Sequence, residues 1–446
     1  MNKYKMNRII SPIILSFLFS FKVNCQNTEL RTGNYSTDSL SLKDIIEVVI
    51  KNHPAIKIAE EALVNADARI GLAKTGYYPQ VDMTANYSNM GPVTKLTIPN
   101  MGTFQLFPEN NYSASINYRQ TIYDFGRTKQ NVELEVKNKN INEQSLEQVK
   151  QKMAMAAVNN FYTLVYLQAA LKIKDEELGT LKGHLEQVEK MRSTGSATEY
   201  QILSTKVKIS GIESQKVDLL AALATQQSFL NSLTGMNEKN IPVVKNELSV
   251  MAPYIQEDSF LSYAYLNRDE MHLNIERSSI AGLRYDLAKT MKNPVLNFLA
   301  TGGAKNGYVP ELGKIRPNYL IGLGITIPIF DGMKTKYNLD QAESGINTLL
   351  YETEYTKRAV TDEVKEAEEH MKAEAKKISQ FELQLSQALK AYSLAETSFS
   401  AGTITNLDLL DANTAVSESR LMLLKARIDY ATSIYKLKVS IGERLY

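Results

Sequence analysis

Asp408 and Asp411 are the acids whose placement first invites a chemical reading. They follow Gly402 in the run Ala401-Gly402-Thr403-Ile404-Thr405-Asn406-Leu407-Asp408-Leu409-Leu410-Asp411-Ala412. Residues three apart share a helix face, so the two carboxylates can point the same way. Acids also suit the positive end of a helix dipole; taken alone, the pair reads as solvated charge in a first turn. The histidines, His53, His184, His272 and His370, are scattered. His370 follows Glu366 by four residues, but zinc takes three or four ligands, and all four histidines read as surface residues. Met83, Met90 and Met101 suggest a soft-metal path, yet 15 Met in 446 residues is too ordinary to support one. The chain carries no phosphate loop, nucleophile motif or paired-carboxylate site. The expectation is no enzyme activity, no cofactor and no metal.

With 51 basic and 49 acidic residues, the chain lacks the concentrated basic excess of a nucleic-acid binder. Lys3, Lys5 and Arg8 precede an apolar run from Ile9 to Phe21. That run is too short to span a bilayer, which needs about 20 residues, and it reads as a secretory signal over residues 1–25. In a cell with two membranes the mature chain then belongs to the periplasm or outer membrane. Cys25 is the only cysteine, so no internal disulfide forms. It ends the signal, either as part of a cleavage site before Gln26 or as a site of lipid attachment. No later segment is a transmembrane helix. If this chain crosses a membrane it does so as a closed barrel, because lipid tolerates no unpaired backbone.

The mature sequence reads as one unit given twice, over 26–250 and 251–446. An offset of 207 residues carries Tyr123-Asp124 onto Phe330-Asp331 and Gly195 onto Gly402. Each unit has the order helix, strand, loop, strand, very long helix, turn, helix. The first helix spans about Asp44 to Tyr77 and breaks at His53-Pro54. Alternating runs predict strands at about 81–90, 112–123, 294–301 and 319–330. Val81, Met83, Ala85 and Tyr87 lie on one face of the first, with Asp82, Thr84, Asn86 and Ser88 on the other. Period two with one polar face suits a membrane barrel with a wet lumen. The stretch Asn89 to Asn111, with Gly91, Pro92, Pro99, Gly102 and Pro108, reads as a loop; its counterpart is Gly302 to Pro317.

From Gly126 to Arg192 there is no proline. At 1.5 Å per residue such a helix is about 100 Å long. Leu164, Leu171, Leu178 and Leu185 recur every seven residues, with Leu167, Leu181 and Val188 beside them. The second unit offers Met371, Ile378, Leu385, Tyr392 and Phe399. This is a coiled-coil seam. After Gly195 and Gly402 a second helix folds back, the later one with the stripe Leu407, Leu410, Leu421, Leu424 and Ile428. Four strands cannot close a barrel, for which eight is about the smallest number. Three copies supply 12, wide enough for an aqueous lumen.

In this order of elements the chain resembles the TolC-like outer-membrane efflux family over nearly all of its mature length. The motifs that carry the likeness are His53-Pro54, Tyr77-Tyr78-Pro79-Gln80-Val81, Tyr123-Asp124-Phe125-Gly126, Phe330-Asp331-Gly332 and the run from Ala401 to Ala412. The resemblance implies a membrane α+β fold: a homotrimeric 12-stranded β-barrel in outer-membrane lipid, four strands per chain, continued into a periplasmic helical coiled-coil tunnel. It implies a passive exit duct that docks to a periplasmic adaptor serving an inner-membrane pump. It implies adaptor contacts at the tips, Gly195, Ser196, Ala197, Thr198, Gly402, Thr403 and Thr405. It places an acidic ring of the periplasmic gate on Asp408 and Asp411, where carboxylates from three copies would focus negative potential and favour cations. The family's locking arginine corresponds to Ile404, and its acidic and threonine partners to Gln201 and Tyr200, so the lock here is expected to be apolar or weaker. A surface coiled-coil adhesin or structural outer-membrane protein is the alternative; it explains the heptads but not four strands in register.

Overall fold

In a computed structural model, the structure describes residues 40–236 and 259–446. The expected signal and the junction of the two units near 250 lie outside the described residues. Helix α1 (Leu42–Asn52) starts at a capping box made by Ser41 and Asp44. Helix α2 (Pro54–Lys74) begins directly after His53 with proline in its first position, where the missing N–H costs no hydrogen bond.

Strands β1 (Gln80–Asn89), β4 (Asn110–Tyr123), β5 (Val295–Lys305) and β6 (Arg316–Thr326) form one antiparallel sheet in the order β1-β4-β5-β6. Residues 327–330, expected to extend the last strand, leave the sheet just before Pro328, which has no N–H for a ladder. The stretch expected to be only loop between β1 and β4 holds a second sheet, the hairpin β2 (Lys95–Ile98) and β3 (Gly102–Gln105). Its Gly and Pro residues mark the turns and masked the short strands between them.

The register sorts the side chains of the main sheet. Val81, Met83, Tyr118, Ile116, Phe298 and Ile321 fall on one face, and that face is apolar. Val81, Met83, Ile321 and Leu323 on it are exposed. The opposite face is a polar ladder. Asn117 donates to Asp82 at 2.9 Å, Arg119 pairs with Asp82 at 3.0 Å, and Thr301 donates to Asn117 at 3.2 Å. Gly303 lets β4 and β5 pair at all: a Cβ there would sit 2.2 Å from the Ala114 carbonyl oxygen.

Each pair of strands feeds a helix of 67 residues, α3 (Arg127–Ser193) and α7 (Lys334–Ser400). The aspartate at each strand exit is a helix cap. Asp124 accepts from the Thr128 amide at 2.8 Å, and Asp331 from the Thr335 amide at 2.9 Å. Helix α4 (Glu199–Thr234) returns along α3, and α8 (Asn406–Ser440) along α7. Helices α5 (Phe260–Asn267) and α6 (Asp269–Thr290) pack on α7.

The main core joins α1, α3, α4 and α8 through Ile45, Val49, Val158, Phe161, Leu164 and Leu230. In α3, Leu164, Leu178, Leu181 and Val188 are buried as the heptad requires. The corresponding α7 residues Met371, Ile378, Leu385 and Tyr392 are only half-buried, since within one chain α7 has fewer helices around it. On the α8 stripe expected from sequence, Leu410 and Ile428 are buried but Leu407 is exposed; α8 packs on α3 as well as α7 and buries Leu409 too.

Candidate functional site at the helical tips

The two hairpins turn on the same backbone. Helix α3 ends at Ser193, and Gly195 (φ +80°) donates its amide to Arg192 at 2.9 Å while Ser196 reaches Met191 at 2.8 Å. Helix α7 ends at Ser400, and Gly402 (φ +73°) donates to Phe399 at 2.9 Å while Thr403 reaches Ser398 at 2.9 Å. This paired closure of the last carbonyls needs a left-handed residue, for which glycine carries no Cβ penalty. Arg192 and Glu199 form an ion pair across the first turn.

Both return helices open with a capping box, in which a hydroxyl and a side chain three residues on satisfy each other's backbone N–H. In α4 the Thr198 amide donates to Gln201 Oε1 at 2.7 Å, and the Gln201 amide to Thr198 Oγ1 at 3.3 Å. In α8 the Thr405 amide donates to Asp408 Oδ2 at 2.9 Å and its hydroxyl to the same oxygen at 2.7 Å. Those two donors, the hydroxyl first, hold the Asp408 carboxyl below the usual carboxylate range. Gln201 is the neutral occupant of the same position one unit earlier, so only α8 carries an acid at this cap position. Asp408 and Asp411 are both exposed.

Of the other residues expected at the gate, Ile404 is half-buried and packs on a cluster of Val188, Ile202, Phe399 and Leu409, which Ala197 also joins. Tyr200 is 72% exposed and lies outside that cluster. Thus Ile404 ties the two hairpins of one chain together, while Tyr200 faces outward.

Sequence reasoning missed the polar clamp beside them. Asn406 is 3% exposed. Its Nδ2 donates to the Gln201 carbonyl at 3.3 Å, Ser204 Oγ at 3.2 Å and Thr205 Oγ1 at 3.2 Å. Its Oδ1 lies 2.6 Å from His184 Nε2, so that nitrogen carries the proton and donates. The His184 ring meets Phe399 edge-on with centroids 5.1 Å apart. His184 is thus half-buried and not the surface residue expected from sequence. The available signal was a small polar residue directly after a helix cap, which looks like surface until a second hairpin covers it. His370 remains exposed, 3.8 Å from Glu366. Among the described residues no group of three His, Cys, Asp or Glu could hold a metal.

The tips present exposed acids, three residues apart, held by their own caps and clamp. The sequence model of a family described as outer membrane efflux protein matches residues 45–236 and 276–443. The multidrug resistance outer membrane protein MdtQ of Escherichia coli is 25% identical over 415 residues, covering 86% of this chain and 80% of its own. The outer membrane protein TolC of Vibrio cholerae is 20% identical over 412 residues, covering 90% of each. Among solved structures, CusC superposes with a TM-score of 0.77 at 20% identity, over 90% of this chain and 92% of that one. VceC of Vibrio cholerae gives 0.76 at 17%, over 91% and 97%.

Proposed function

The chain belongs to the outer membrane efflux protein family, outer-membrane channels of efflux or secretion systems, and from that premise we propose how it works. Three copies close a 12-stranded barrel, and their helices continue it as a tunnel into the periplasm. The chain is a duplicated unit, each half giving two barrel strands and one helical hairpin. It acts as a passive exit duct, fed by an inner-membrane pump through a periplasmic adaptor. The adaptor meets the tips at Gly195, Ser196, Ala197, Thr198, Gly402, Thr403 and Thr405. Asp408 and Asp411 line the constriction there, with Ile404, Tyr200 and Gln201 around it.

One observation carries this reading: the four-stranded sheet exposes its apolar face and leaves both edges, β1 and β6, without partners among the described residues. In water that face would aggregate; in lipid it is the required outer surface, provided the edges close on further copies. Four strands need two further copies to make an open lumen. The polar ladder on the opposite face supplies a wet lining. Among the described residues no helix is apolar enough to cross a membrane, and the sheet needs none.

The test is assembly and conduction together. Protein purified from outer membranes in detergent is expected to have the mass of three chains and to form channels in planar bilayers. A monomer that spans the bilayer by itself would overturn the reading.

A further inference from the structure

We propose that the β2–β3 hairpin packs against the β5–β6 loop of the neighbouring copy, so that three such contacts collar the outer mouth; this rests on the trimeric channel reading. The hairpin has two unlike faces. Lys95, Thr97, Thr103 and Gln105 share one, where the Thr97 and Thr103 hydroxyls lie 2.9 Å apart. Leu96, Ile98 and Phe104 share the other, and there Leu96 is 48% and Phe104 47% exposed. A two-stranded ribbon has no second layer and is marginal in water. Something must cover its apolar side.

Lipid is the wrong cover. The apolar face of the main sheet ends at the Tyr87 and Tyr112 rings, tilted against each other with centroids 5.2 Å apart. Beyond it comes a layer of asparagines. Tyr87 and Asn89 both donate to Asn110 Oδ1 at 3.0 Å, and Asn306 Nδ2 donates to the Asn110 carbonyl at 2.7 Å. Such a layer is costly in hydrocarbon and marks the start of water, and the hairpin lies past it in the chain. The chain's own second loop does not cover it either: Val309 is 74% and Ile315 59% exposed.

Those two residues are the matching surface. Because β1 and β6 are the sheet edges, joining copies edge to edge sets the loop after β5 of one copy beside the hairpin after β1 of the next. Two exposed apolar sets then meet across the interface the barrel already requires.

The chain has no tryptophan, so Phe104→Trp places a single reporter on the hairpin. In trimers reconstituted into vesicles, its emission is expected to resist quenching both by aqueous iodide and by lipids brominated on their acyl chains. Quenching by brominated lipid would make the membrane the cover, and strong quenching by iodide would mean no cover; either overturns the proposal. A second measurement is independent of that side chain. Leu96→Cys with Val309→Cys, on a Cys25→Ser background, is expected to give disulfide-linked dimers and trimers on denaturing gels, with Lys95→Cys and Val309→Cys giving single chains. Single chains from both pairs, in samples of trimer mass in detergent, would overturn the collar and leave the channel reading standing. Samples with the mass of one chain would overturn both.

Discussion

The Asp408 carboxylate caps α8, and the gate role proposed for it would pull on its charge in the opposite direction. Its cap to Thr405 favours the ionised form, whereas a ring of like charges would disfavour it. For the cap alone the sign is fixed. A carboxyl whose folded value is depressed contributes stability above its unfolded pKa and loses it as pH falls through the folded value. Protection of the Thr405 and Asp408 amides, taken relative to their intrinsic exchange rate at each pH, is therefore expected to fall below the ordinary carboxylate range, and Thr405→Ala, which keeps the backbone donor and loses the hydroxyl, to weaken that pH dependence. The proposed gate role is separable. Asp408→Ala with Asp411→Ala is expected to leave trimers intact while single-channel recordings show reduced cation selectivity and weaker block by multivalent cations. Unchanged selectivity and block would reduce both acids to solvated charges at a helix start.

Between elements, α8 is joined through Ser417 to a buried ion pair that lies within α3. Lys174 Nζ lies 2.8 Å from Glu177 Oε2, with side-chain exposures of 7% and 1%, and Ser417 of α8 donates to the same carboxylate oxygen at 2.5 Å. Removing one partner of a buried pair strands the other charge. Lys174→Met is expected to destabilise the helical part by about 3–5 kcal/mol, seen as a lower thermal midpoint by circular dichroism. Lys174→Met with Glu177→Leu should recover most of that loss, because replacing a buried pair by apolar side chains is often neutral. No recovery would mean that the pair contributes more than its mutual compensation. The position matters for the proposed channel, since α3 and α8 belong to different hairpins and any relative movement of the two must work against this link.

At the scale of the whole molecule, the fold commits the loops to one side of the sheet and the helices to the other. The loops 90–109 and 306–315 leave from the strand ends opposite to α3 and α7. Cysteines placed at Met101 and Lys314 are expected to react with a membrane-impermeant thiol reagent on intact cells, and one placed at Ser196 only after the outer membrane is opened. The reverse pattern would invert the proposed topology.

Apart from the short β2–β3 hairpin, element types and the spacing between the two tips were legible from residues alone, because helix seams repeat every seven residues and strand faces every two, whatever surrounds them. The turn glycines were legible because a left-handed closure leaves few other choices. What only the tertiary structure decided depends on which surfaces meet. Asn406 becomes buried and His184 half-buried because one hairpin covers another. Leu407 faces out because α8 serves two neighbours, and Ile404 turns into its own chain while Tyr200 does not. Periodicity fixes which way a side chain points on its own element; the partner opposite it is set by packing between segments some 200 residues apart, and no local pattern records that.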